Sequence, residues 1–232
     1  MTKISIILPV YNEAKNIKIL IPEIIKVMKD RDFEIVVVDG ISTDETVSIV
    51  CGVSDCDVVL AKREKKGIGD ALAIGYGLAT GDVLLSVDAD NQIDAIEIPK
   101  LLKFMEKSNY DMVIGSKYLD YQRKTFTANI RYLISKWGNW YLGMINGTPF
   151  SDYSLNFRAM KKVVWETISP TDKQNFFLVE MVVQSYRHKF KIGEIPIYFK
   201  ERPFGESKTK VINQMGTFLV KGFLLSFYTK ES

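Results

Sequence analysis

Blocks of apolar residues separated by polar turns run through the first half of the chain. Ile4–Val10 is apolar except for Ser5, the mark of a buried strand. Ile17, Leu20, Ile21, Ile24, Ile25 and Met28 then recur at helical spacing on one face. Glu34–Val38 is a second buried strand ending at Asp39, and Thr43–Cys51 reads as a short helix capped by Ser42 or Thr43. Asp57–Ala61 is a third strand, Gly69–Thr80 a helix, and Val83–Val87 a fourth strand ending at Asp88. Ala95–Lys107 is helical and Met112–Gly115 is a fifth strand. Strands alternating with helices imply parallel crossovers, hence an α/β fold whose mostly parallel sheet is covered on both faces. Ligands of such sheets lie beyond the carboxyl ends of the strands, where Asp39 and Asp88 both fall.

The second half loses this rhythm. Asn129–Ile145 is helical and carries Arg131, Tyr132, Lys136, Trp137, Trp140 and Tyr141. Phe176–His188 is another helix, Lys191–Phe199 a strand, and Asn213–Tyr228 a closing helix rich in Phe and Leu. The first and last of these helices suit either packing on the sheet or lying in a membrane interface. No run reaches the roughly 20 apolar residues that a spanning helix needs, so the chain is not expected to cross a membrane by itself. Internal repeats and low-complexity tracts are absent from the sequence.

Composition narrows the class. With 232 residues, 47% apolar and 25% charged, the chain suits one large α/β domain and neither a disordered nor a fibrous protein. The net charge of +3 conceals a division. Residues 1–120 carry 14 Lys and Arg against 20 Asp and Glu, while residues 121–232 carry 17 against 8. Two ends of opposite sign suggest two different partners. Cys51 and Cys56 are too few for a disulfide framework, and the amino terminus lacks signal-peptide organisation, so a reducing, cytoplasmic setting is expected. His188 is the single histidine, which leaves little material for a zinc site or a Ser–His–Asp triad. A metal would then be held by oxygen, meaning Mg²⁺ or Mn²⁺. No nucleic-acid motif accompanies the basic half.

Asp88-Ala89-Asp90-Asn91-Gln92 follows a strand directly. Two carboxylates two residues apart can share one hard cation, with Gln92 adding an amide oxygen, and such a cation could bridge nucleotide phosphates. A bare D-x-D is equally compatible with a solvated acidic turn. A dinucleotide-binding turn is excluded, because the first strand runs into Pro9–Glu13 without glycine. Gly67-Ile68-Gly69 either allows close backbone approach to a sugar or phosphate or forms a tight turn.

Pro9-Val10-Tyr11-Asn12-Glu13, Val38-Asp39-Gly40 and the D-x-D segment together resemble the nucleotide-binding signatures of glycosyltransferase family 2, whose members share a GT-A fold, a Rossmann-like single domain. The resemblance sharpens in the basic half, at Gly115–Tyr118, Arg131–Ser135, Asp152–Arg158 and Glu201–Lys208. The closing R-x-x-G-x-S-K pattern is similar to the polyprenyl-phosphate branch of that family. The resemblance implies donor contacts at Pro9, Tyr11, Glu13, Asp39, Gly69, Asp88 and Ala89, metal ligation by Asp88, Asp90 and Gln92, and catalytic roles for Asp88 and Asp90. It also implies acceptor or phosphate contacts at Lys117, Arg131, Ser135, Arg202 and Lys208. The expected organisation is a catalytic domain over 1–210, with a donor half at 1–120 and an acceptor half at 121–210. A C-terminal amphipathic, membrane-associating helix would follow over 211–232.

Four departures from the branch pattern stand out. Asp39-Gly40 replaces two successive aspartates, Gly67-Ile68-Gly69-Asp70-Ala71 carries an added charge, and Lys117 replaces a common arginine. Ser154-Leu155-Asn156-Phe157-Arg158 replaces T-S-G-F-R. The implied activity is inverting, metal-dependent transfer of a hexose from a nucleotide sugar of GDP-mannose or UDP-glucose type to a polyprenyl (dolichyl) phosphate. It would take place on the cytoplasmic face of a membrane, with a membrane partner subunit or self-association as further possibilities. A family 2 transferase acting on a glycan or diacylglycerol, and a non-catalytic peripheral membrane scaffold, are the alternatives.

Overall fold

The computed structural model describes residues 2–62, 67–119, 130–204 and 211–227. The elements in chain order are β1 (Ile4–Val10), α1 (Ala14–Met28), β2 (Phe33–Asp39), α2 (Thr46–Cys51), β3 (Asp57–Lys62), α3 (Ile68–Leu78) and β4 (Val83–Val87). They continue with α4 (Glu97–Ser108), β5 (Met112–Ser116), α5 (Ile130–Asn146), β6 (Phe157–Lys161), α6 (Lys162–Thr167), α7 (Phe176–Arg187), β7 (Ile192–Pro196) and α8 (Val211–Phe227). Among the described residues, seven strands form one sheet in the order β3-β2-β1-β4-β6-β5-β7. All neighbours are parallel except β6, which runs antiparallel to both β4 and β5.

The strands bury both faces, as their near-continuous apolar runs require. Ile6, Leu8, Ile35 and Val37 face the apolar stripes of α1 and α4, including Ile17, Ile21, Ile24, Leu101 and Leu102. Ile7, Val36, Val38 and Leu84 face α3 and α7, with Leu72, Tyr76, Phe177 and Met181. Each such side chain removed from water contributes about 1.5–3 kcal/mol against chain entropy. α1 keeps its helix across Pro22, nine residues into the chain segment that begins after Glu13.

Register decides what meets at the functional edge. Val10 lies opposite Asp39 and Ile7 opposite Ser86, so β1, β2 and β4 end on the same side of the sheet. Antiparallel β6 begins there, with Phe157 opposite Val87. Parallel β7 ends there, with Pro196 opposite Ser116. Loops from both halves of the chain therefore converge on one edge.

The sequence expectations differ from the fold at three places. The second helix starts at Thr46, not Thr43, because residues 40–45 are committed to other bonds. Asp39 Oδ2 accepts the Ile41 and Ser42 N–H groups at 3.0 Å, and Asn12 Oδ1 accepts the Thr43 N–H at 2.8 Å. The last strand stops at Pro196, with the Ile197 N–H still donating to the Ser116 carbonyl at 3.1 Å and a single bridge between Ile93 and Phe199 further on. The sequence pattern predicts neither β6 nor α6. An arginine in a five-residue segment argues against a buried strand, yet Arg158 is fully buried. Its guanidinium donates to the carbonyls of Leu178 at 2.8 Å and Leu155 at 2.7 Å, which replace the lost water.

Candidate functional site

Tyr11, Asn12 and Glu13 leave β1 beside the loop that leaves β2. Asn12 takes a left-handed conformation (φ 54°), and its N–H donates to Ser42 Oγ at 2.8 Å. The Glu13 N–H donates to Thr46 Oγ1 at 2.9 Å. These bonds lock the two loops together, and they show why polar residues of these types follow the strands. Asp39 is buried, and its carboxylate organises its own loop through the Ile41 and Ser42 N–H groups. Pro9 sits within β1 opposite Val38.

The D-x-D turn leaves β4 at the same edge. Ala89 and Asp90 are buried and Asp88 is half-buried. Burial, and then the neighbouring Asp90 carboxylate, push the Asp88 pKa up, while the Asn156 amide, Arg202 and Lys117 pull it down. Asn156 Nδ2 donates to Asp88 Oδ1 at 2.9 Å. Asp90 Oδ1 accepts the Gln92 N–H at 3.1 Å.

A strap from the basic half lies over this turn. The Lys200 N–H donates to the Gln92 carbonyl at 2.8 Å, and Gln92 Nε2 donates back to the Lys200 carbonyl at 3.2 Å. Lys200 also pairs with Asp94. The strap carries Arg202 into the acidic loops, where its Nη2 lies 2.9 Å from Asp90 Oδ2 and 3.5 Å from Glu13 Oε1. Gln92, read from sequence as a metal ligand, thus engages the strap through its amide nitrogen.

Lys117 leaves β5 on the same side. Its Nζ lies 5.2 Å from the ring centres of Tyr118 and Phe199 and 4.0 Å from Asp152 Oδ2. Asp152 is fully buried, and that oxygen accepts no hydrogen bond. The Tyr118 hydroxyl donates to Ser135 Oγ at 2.6 Å. Arg131 falls in the first turn of α5, but its side chain lies outside the described residues, as does all of Lys208.

Gly69 serves a contact inside the protein. A Cβ there would stand 2.4 Å from the Asp172 carbonyl oxygen, and one on Gly67 would stand 2.1 Å from that of Lys173. The close approach these glycines allow is to the chain's own backbone, and no sugar or phosphate is needed to explain them. Asn156 and the strap residue Lys200 were missed from sequence. The departure from glycine at position 156 was the available signal for the first.

Among the described residues, no three His, Cys, Asp or Glu side chains form a metal cage. Asp88 and Asp90 still fit a hard divalent cation, which characteristically takes one or two carboxylates and completes its shell with water and phosphate oxygens. The chemistry of the pair supports the fit, since Asp90 already draws the Arg202 cation and the crowding of the two carboxylates raises the Asp88 pKa.

The sequence matches the family described as Glycosyl transferase family 2 over residues 5–167. The chain belongs to that family. It is 32% identical over 213 residues to a dolichol-phosphate mannosyltransferase of Pyrococcus furiosus, covering 90% of this chain and 59% of the relative. It is 27% identical over 226 residues to an undecaprenyl-phosphate 4-deoxy-4-formamido-L-arabinose transferase of Photorhabdus laumondii, covering 92% and 66% respectively. The chain therefore spans about two thirds or less of the length of these family 2 relatives. The GT-A fold recurs in glucosyl-3-phosphoglycerate synthase from Mycobacterium tuberculosis, solved with Mn²⁺, UDP and glucosyl-3-phosphoglycerate. The TM-score is 0.70 at 17% identity, over 97% of this chain and 80% of that one.

Proposed function

We propose that this family 2 chain is an inverting, divalent-metal-dependent glycosyltransferase. It moves a hexose from a nucleotide sugar of GDP-mannose or UDP-glucose type to a polyprenyl phosphate at a membrane surface. The observation that carries the proposal is the meeting of opposite charges at one sheet edge. Arg202 of the basic strap contacts both Asp90 and Glu13 of the acidic loops, so the groups proposed for donor and acceptor meet at one sheet edge.

Asp88 and Asp90 would hold Mg²⁺ or Mn²⁺, which when bound neutralises the donor diphosphate and eases its departure. Pro9, Tyr11, Glu13, Asp39 and Ala89 belong to the loops and strand ends assigned to the nucleotide, whereas Gly69 packs on the backbone of residues 172–173 at the start of α3. Arg202 and Lys117, with Arg131, Ser135 and Lys208, are assigned to the acceptor phosphate. A phosphate monoester has a second pKa of about 6, so the acceptor is largely a dianion at neutral pH and needs no histidine base. Its oxygen forms the bond to the anomeric carbon as the bond to the diphosphate oxygen breaks, and the electron pair leaves with the nucleoside diphosphate. The protein's own contribution is alignment of the two phosphates and cationic stabilisation between them.

The membrane surface is supported by a paired apolar face. Leu133, Trp137, Trp140 and Met144 recur on one exposed stripe of α5, and Val220, Phe223, Leu224 and Phe227 on one of α8. Among the described residues no helix is long and apolar enough to cross a membrane. The proposed domain division is catalytic over 1–210 and membrane-associating over 211–232, peripheral on the cytoplasmic face.

An assay matrix tests the function. The protein is incubated with GDP-mannose, UDP-glucose or UDP-N-acetylglucosamine, each with and without dolichyl phosphate and Mn²⁺. Sugar should enter the organic phase for one donor, only with metal and lipid present. Asp90→Ala should reduce that transfer to background, and Arg202→Ala should slow it roughly 10²–10³-fold. Transfer at the wild-type rate in Arg202→Ala would remove Arg202 from the acceptor site, and sugar entering a glycan or diacylglycerol in place of dolichyl phosphate would favour that acceptor. No transfer from any donor would overturn the proposal.

A further inference from the structure

Behind the D-x-D turn runs a buried line of hydrogen bonds that the proposed function does not use. The Tyr76 hydroxyl donates to Ser86 Oγ at 2.8 Å, Ser86 Oγ donates to Asn156 Oδ1 at 2.6 Å, and Asn156 Nδ2 donates to Asp88 Oδ1 at 2.9 Å. Tyr76, Ser86 and Asn156 are all essentially inaccessible to solvent. They come from three elements, α3, β4 and the approach to β6, so the line is held by packing on every side. Buried polar groups cost free energy unless each finds its partner, and here each donor is matched to an acceptor in a single direction.

That direction has a consequence. A carboxylate only accepts, so the amide of Asn156 sets its NH₂ toward Asp88 and its Oδ1 toward Ser86. The single Ser86 proton then goes to Oδ1, and the Tyr76 hydroxyl donates to the Ser86 oxygen from behind. The Asp88 carboxylate is thereby pinned through Oδ1 by a neutral donor that neither repels a cation nor competes with Asp88 for it. Position 156 is also where the family pattern quoted above carries glycine, so this contact is a property of this chain.

We propose that Asn156, oriented by Ser86 and Tyr76, is a positioning residue that holds the Asp88 carboxylate in the geometry required to bind a divalent cation. The proposal rests on the assignment of Asp88 and Asp90 to the metal. Outer partners that orient a metal ligand are typically worth 10–100-fold in metal affinity.

Mn²⁺ binding, followed by the EPR signal of the free ion with and without UDP or GDP, tests this on the full chain. Asn156→Leu keeps the volume and removes the donor, and it should weaken Mn²⁺ binding roughly 10–100-fold. Tyr76→Phe removes only the far hydroxyl and should weaken binding in the same direction, by less than Asn156→Leu does. Transferase activity of both variants should return toward the wild-type rate at saturating Mn²⁺. A purely structural role would instead lower the melting temperature and the folded fraction while leaving the Mn²⁺ affinity of the folded protein unchanged, and that result would overturn the proposal. If Asn156→Leu does not fold, unchanged Mn²⁺ affinity in Tyr76→Phe overturns it as well. Failure of the wild-type protein to bind Mn²⁺ under any condition would remove the metal assignment and this inference with it. Binding lost in Asp90→Ala but equal in wild type and Asn156→Leu would remove the inference alone.

Discussion

Glu34 is a carboxylate buried at the amino-terminal edge of the sheet, opposite the functional edge. Burial alone would raise its pKa. Hydrogen bonds from Ser5 and Thr80, with the Lys3 ammonium at 3.1 Å, overcome that and hold it down at about 2. A carboxyl depressed from about 4.5 to about 2 contributes on the order of 3 kcal/mol. That contribution is fully present above the unfolded pKa and is lost as pH falls from about 4.5 through about 2. The urea midpoint should therefore drop steeply over that interval, and Glu34→Gln should flatten the drop while lowering stability at pH 7. An unchanged acid profile in Glu34→Gln would assign the acid sensitivity to other groups. The same chemistry explains why such residues are hard to read from sequence. Nothing local in the sequence shows how Glu34 and Arg158 are satisfied when buried; the fold supplies Ser5 and Thr80 to the first and the Leu155 and Leu178 carbonyls to the second.

At the scale of elements, loop 172–174 is the joint between α3, α7 and α8. Gly67 and Gly69 admit its backbone against the start of α3, and Lys221 of α8 pairs with Asp172. Glu180 of α7 accepts the Thr171 and Asp172 N–H groups at 2.6 and 2.8 Å. A methyl group at position 69 meets carbonyl oxygen and backbone carbon, which cannot swing aside. Gly69→Ala should cost about 1–3 kcal/mol, read as a lower urea midpoint. Gly77→Ala in the same helix, with nothing within 4 Å of the new Cβ, should be neutral or slightly stabilising. α8 divides its apolar residues between two tasks. Gly222 packs on Leu142 of α5, and Phe218 stands edge-on to Phe176 of α7 at 5.5 Å. The opposite stripe is exposed. Sequence periodicity leaves core packing and interfacial helix as alternatives, and the fold packs one face of this helix while leaving the other exposed.

At the scale of the whole molecule, the charge division becomes a spatial arrangement. The acidic loops after β1, β2 and β4 and the basic strap after β7 meet at one sheet edge, while the exposed aromatic stripes lie on α5 and α8. The proposed membrane contact predicts that the protein pellets with anionic vesicles, less so in high salt. Each exposed aromatic transferred from water to the interface is worth up to about 1.5–3 kcal/mol. Replacing Trp140 and Phe223 together by Ser should thus lower vesicle binding at least roughly tenfold, with the circular dichroism spectrum unchanged. Equal binding by the double variant would remove this face from the membrane contact.

Local information was enough for the parallel half of the fold. Buried parallel strands are continuous apolar runs, and helices on a sheet show a 3.6-residue stripe, so β1 to β5 and their helices were legible within a few residues. The D-x-D turn and the polar residues after β1 and β2 were legible for the same reason, since parallel topology places strand ends together. Insertion of β6 between β4 and β5 was decided only by tertiary structure, because that strand buries Arg158, whose guanidinium is met by the nearby Leu155 carbonyl and by the Leu178 carbonyl of α7. The same holds for the pairing of Arg202 with Asp90 and Glu13, and for the line from Tyr76 to Asp88. Those contacts span up to 189 positions of chain, from Glu13 to Arg202, and no periodicity encodes a partner at that range.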